Sequence, residues 1–62
     1  MYNFYLSLDI PPSSYLYVAF IKDNLIIKTI TKQNTNNYFM VFEETIPLPE
    51  KPDHFRHIFY QR

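Results

Sequence analysis

Residues 15–22, Tyr-Leu-Tyr-Val-Ala-Phe-Ile-Lys, are apolar on both faces of any strand they form. With a period of two, Leu16, Val18 and Phe20 point one way, and Tyr15, Tyr17, Ala19 and Ile21 point the other. Their β-branched and aromatic content favours a strand. Both of its faces need cover, so this strand is expected at the centre of a sheet. Whatever the rest of the chain forms must supply that cover.

The segment before it alternates more simply. Phe4, Leu6, Leu8 and Ile10 share one face, and Asn3, Tyr5, Ser7 and Asp9 the other, which predicts a half-buried strand over 3–10. Pro11 and Pro12 end it, because proline brings no N–H to a ladder. Asp23-Asn24 lies between two apolar runs, and both residues tolerate positive φ, so a two-residue hairpin is expected there. A third strand is expected over 25–32, and a fourth over 38–46 after an asparagine-rich loop. On the fourth, Glu43 and Glu44 are placed to meet lysines of the third across a hairpin.

Pro47, Pro49 and Pro52 make a stiff extended connector. Its P-x-x-P spacing from Pro49 to Pro52 also suits docking into an aromatic groove, but such spacing arises often by chance and spanning two elements is the preferred reading. In the last ten residues, Asp53 suits a helix N-cap, Phe55, Ile58 and Phe59 share a helical face, and Arg62 suits the C-terminal end of the dipole. A short helix is therefore expected over 53–62. A fifth strand competes, because Phe55, His57 and Phe59 also alternate against His54, Arg56, Ile58 and Tyr60. The expected class is α+β: an antiparallel meander of three to four strands with a C-terminal helix on one face, within a single domain over residues 1–62. An all-β arrangement is the alternative.

Composition bears on stability and on partners. A chain of 62 residues buries only about 60% of the surface that it exposes when unfolded. It has no cysteine, so neither a disulfide nor a thiolate metal site can compensate. Six tyrosines and six phenylalanines offer the other routes, an aromatic core and self-association. Glycine is absent as well, which removes the phosphate cradles that need close backbone approach. No cofactor is expected. Six basic residues balance six acidic ones, which ranks nucleic acid below protein as a partner. The first residues show no basic segment followed by an apolar core, and no apolar run nears the roughly 18 residues that span a bilayer. A cytoplasmic setting away from membranes is the expectation.

Catalysis has little support. Ser7, Ser13 and Ser14 lack a glycine elbow, and Glu43 and Glu44 point to opposite faces of a strand. His54 and His57, three apart, would share a helical face and, with Arg56 and Tyr60, offer an acid, a base and a charge stabiliser for a ribonuclease-type toxin. They are half of a zinc site at most, and no metal is expected. The leading expectation is a non-catalytic protein-binding module acting by an aromatic patch or by edge pairing, with Tyr5, Tyr15, Tyr17 and Tyr38 as anchors. The abundance of Asn, Ile, Lys, Phe and Tyr, with a single alanine, suggests an AT-rich genome. A phage or mobile-element inhibitor that blocks a host protein fits that origin. Spare apolar surface also makes a homodimer an expectation. Second to protein binding is nucleic-acid or anion contact through Lys22, Lys28, Lys32, Arg56 and Arg62, with tyrosines as stacking platforms.

Overall fold

A computed structural model describes residues 1–61. Five strands run in the order β1 (Tyr2–Leu8), β2 (Tyr15–Lys22), β3 (Leu25–Gln33), β4 (Met40–Ile46) and β5 (His54–Tyr60). They form two antiparallel sheets, β1-β4 and β3-β2-β5. The class is all-β, with no helix among the described residues. Two expectations are thereby corrected. Residues 54–60 are a strand rather than a helix, and the strands are not a meander, because β1 pairs β4 and the chain changes sheet three times.

The strand wins at the C-terminus because β2 has two edges to satisfy. β3 takes one through the hairpin. The other would leave backbone N–H and C=O groups unpaired beside the core, at a cost comparable to lost hydrogen bonds. β5 takes them, with Phe20 opposite Phe55 and Ala19 opposite Arg56. Asp53 leads into β5 rather than capping a helix. Its N–H donates to the Ile21 carbonyl at 2.8 Å, and its carboxylate accepts from the Asp23 N–H at 3.0 Å and from Lys22 Nζ at 3.3 Å.

The turns are made without glycine. Asp23 and Asn24 adopt φ of 52° and 64°, as a two-residue hairpin of this hand demands. Ser13 takes φ of 67° after Pro12, and the Ser14 N–H closes the turn on the Pro11 carbonyl at 3.3 Å. Asn34 ties that turn to the loop after β3. Its side-chain amide, buried to 2% exposure, shares its hydrogens among the carbonyls of Ile10, Pro11 and Asn37, and its Oδ1 accepts from the Asn36 N–H.

The two sheets stack face to face over one apolar core. Phe4, Ile10, Leu16, Val18, Phe20, Met40, Phe42 and Ile46 form it. Phe4 is its hub, in edge-to-face contact with Phe20, Phe42 and Phe55 at 5.0, 5.7 and 4.8 Å between ring centres. Rings so arranged gain about 0.5–1.5 kcal/mol per pair beyond their burial. Glu44 meets Lys32 at 3.8 Å, but from the facing sheet rather than across a hairpin, and the Lys32 ammonium also lies 5.3 Å from the centre of the Phe42 ring.

The backbone measures 34 × 19 × 14 Å. The short dimension holds two sheets spaced about 10 Å apart, with no room for a third layer. The β1-β4 ribbon covers one face of the three-stranded sheet. The opposite face, which carries Tyr15, Tyr17, Ala19 and Ile21, has no layer over it.

Candidate functional site

Register places this open face residue by residue, because directly opposed residues of neighbouring strands share a face. Ile21 lies between Ile26 and His54. The next rows put Ala19 between Thr29 and Arg56, Tyr17 between Thr31 and Ile58, and Tyr15 between Gln33 and Tyr60. The central residues form a floor and the flanking side chains form walls. Ala19 and Ile21 are only 5% and 9% exposed although no layer covers them, so their taller neighbours shade them. A groove of about 390 Å³ results, lined by Tyr17, Ala19, Ile21, Asn24, Ile26, His54 and Arg56. On its rims Ile26 and Ile58 each stand 61% exposed. At the far end the Tyr15 and Tyr60 rings stack at 5.7 Å with an angle of 15° between their planes.

No carboxylate stands in these rows. Asp23 and Asp53 lie at the hairpin end, and Asp53 is occupied there. The Asp23 N–H, and after it the Lys22 ammonium, hold its carboxyl below the ordinary aspartate value. The same contact raises Lys22 above the ordinary lysine value. Both groups are exposed, so the pair adds little stability. What it does is fix the start of β5 against the β2–β3 turn.

The structure brings together some of the expected site residues and separates others. Tyr15 and Tyr17 share the open face. Tyr5 lies on the outside of the ribbon opposite Glu43, and Tyr38 precedes β4 near Asp9, Ile10 and Pro11. The expected cations are also scattered. Arg56 lines the groove, Lys22 is paired with Asp53, Lys28 stands opposite Phe20, and Lys32 reaches toward Phe42 and Glu44. Arg62 lies outside the described residues. Ile26, Ile58 and Tyr60 belong to the face but were missed as contacts. The signal that finds them is the register of β2 against both neighbours, which needs β5 to be a strand.

Strand geometry also separates His54 from His57. Three residues apart on a strand, they point to opposite faces, whereas a helix would have aligned them. Ser14 is fully buried. No group of three or more His, Asp or Glu side chains converges among the described residues. No helix there is long and apolar enough to cross a membrane. The groove is open on one side and can bury apolar side chains of a partner.

Compared with protein-family models, with curated proteins and with solved structures, the chain finds no match.

Proposed function

We propose that the chain is a small non-catalytic protein-binding module that docks its partner on the open face of β3-β2-β5. One observation carries this proposal. The central strand is apolar on both faces, and only one of them is covered by a second sheet, so the exposed Ile26 and Ile58 stand beside a shaded Tyr17–Ala19–Ile21 floor. Exposed apolar surface arranged as a continuous patch marks interaction sites. Tyrosine and isoleucine around a shaded floor suit a contact that desolvates at its centre. The amino-acid usage that suggests an AT-rich genome supports reading the chain as a phage or mobile-element inhibitor that acts on a host protein in the cytosol.

The test is affinity capture from host lysate with matched variants. Ile26→Ser with Ile58→Ser should remove the captured partner while leaving the β-sheet circular dichroism unchanged. Tyr5→Ala, on the other side of the molecule, should retain it. Loss with Tyr5→Ala and retention with the isoleucine pair would move the docking surface to the ribbon.

A second proposal, single-stranded nucleic acid on the same face, has one specific support: Arg56 and His54 stand beside Tyr17 with no carboxylate among them. Scatter of the lysines ranks it lower, since stacking surfaces work with a basic groove that follows the backbone. Nucleic-acid binding would weaken steeply with added salt, whereas docking on an apolar floor would not. The ribonuclease-type alternative loses its acid–base pair to the alternation of β5.

A further inference from the structure

The two edges of the three-stranded sheet are protected very differently. β3 carries Lys28 and Lys32, and its register slips between Phe20 and Ile21 so that Ile27 has no partner on β2. Lysines and irregularities of this kind are what natural sheets use to prevent edge-to-edge pairing. β5 has neither. Its seven residues, His-Phe-Arg-His-Ile-Phe-Tyr, contain no lysine, proline or carboxylate, and their pairing to β2 runs without a register shift. The outer edge of β5 still offers unpaired backbone groups. It also carries exposed apolar side chains, with Ile58 at 61%, Phe59 at 50% and Tyr60 at 37%. Phe59 is notable because it lies on the core side, opposite the fully buried Leu16, yet half of it remains uncovered.

We propose that β5 pairs with β5 of a second copy of this chain, antiparallel about a two-fold axis at His57. The result is one continuous sheet with three strands from each copy. Self-pairing is favoured over a foreign strand because the sequence of β5 complements itself in this register. Phe55 faces Phe59 of the second copy, so the half-exposed ring gains an aromatic neighbour that is itself packed on Phe4. Arg56 faces Ile58 of the second copy, and His54 faces Tyr60 of the second copy. Opposed aromatic pairs stabilise a ladder, and no arginine is set against another. The two-fold centred on His57 is also the register that pairs the full length of the strand. Both ribbons then lie on the same side, and the open face of one copy continues into that of the other. This inference rests on the edge of β5 and not on the hetero-partner proposal, because pairing there leaves the Tyr17–Ala19–Ile21 floor and Ile26 uncovered.

β1 is the competing edge. It has no charged residue, but Tyr5 is the one large hydrophobic side chain on it that stands exposed, at 61%. A pairing of seven residues is small for a stable interface, so the dimer is expected to exchange with monomer at roughly micromolar concentration.

The experiment reads mass by light scattering over a concentration series, together with single-cysteine crosslinking, which the cysteine-free chain allows. His57→Cys should give a covalent dimer with a short thiol-to-thiol crosslinker. Tyr5→Cys on β1 and Thr31→Cys on β3 should not. Ile58, exposed and opposite Arg56 of the second copy, then tests the register. Ile58→Glu should dimerise more tightly than Ile58→Lys by ~2-fold to ~30-fold, since each dimer contains the pair twice. A monomer at every concentration would overturn the proposal. So would crosslinking at position 5 or 31 instead of 57, or equal affinities for the glutamate and lysine variants.

Discussion

Asn34 joins two loops through one side chain, and its surroundings make a specific expectation. The amide itself is buried and donates to carbonyls from both the 10–11 turn and the 34–37 loop, of which the Ile10 bond is buried and the Pro11 and Asn37 bonds are part-buried. Removing the donor leaves acceptors unsatisfied, which costs about 1–3 kcal/mol. Asn34→Ala should therefore lower the unfolding free energy, read from urea titration, by that much, and Asn34→Asp by more, because a carboxylate would face carbonyl oxygens. Ser14 behaves in the opposite sense. Its buried hydroxyl has no hydrogen-bond partner among the described residues, so Ser14→Ala in the same series should be neutral or stabilising. An equal loss for both variants would show that the turn is held by its backbone shape rather than by these side-chain bonds.

β5 depends on a junction that tightens and loosens with pH. Asp53 is held below the ordinary aspartate value, so its contact contributes above the usual carboxylate range and is lost as pH falls through the lowered value. Lys22 is raised, so its share is complete below the usual lysine range and lost only as pH rises through the raised value. The junction is therefore intact across neutral pH. Acidification below about pH 4 should destabilise the wild-type chain more than Asp53→Asn, read as urea midpoints against pH. Parallel profiles would mean that Asp53 does not hold the start of β5. The elements themselves were unequally legible in the sequence. Alternation in residues 3–10 and double-sided apolarity in 15–22 place β1 and the central strand, and Asp23-Asn24 gives the hairpin. The pairing of β1 with β4 was not legible. It is decided across layers, where Phe4 meets Phe20 and Phe55, and no local pattern reports that. β5 satisfies helical and strand periods together, and the free edge of β2 decides between them. Asn34 looked like one of several loop asparagines, because its burial comes from a turn more than twenty residues away in the chain.

At the scale of the whole molecule, two layers are all that a chain of this length builds, and one face of the central strand remains without a partner. Half of the candidate site was legible: a strand apolar on both sides had to leave surface to cover, and Tyr15 and Tyr17 lie on it. The grouping of Tyr5 and Tyr38 with them was not, because faces and loops are assigned by pairing rather than by residue type. The central claim is that residues 54–60 extend the sheet and leave its outer face open. Solution NMR with a soluble paramagnetic probe tests it most directly. Cross-strand contacts between Ala19 and Arg56 are expected, with the methyl groups of Ile26 and Ile58 strongly relaxed and those of Leu16 and Val18 protected. Helical shifts over 54–60, with Ile58 as protected as Val18, would contradict both the fold and the docking face built on it.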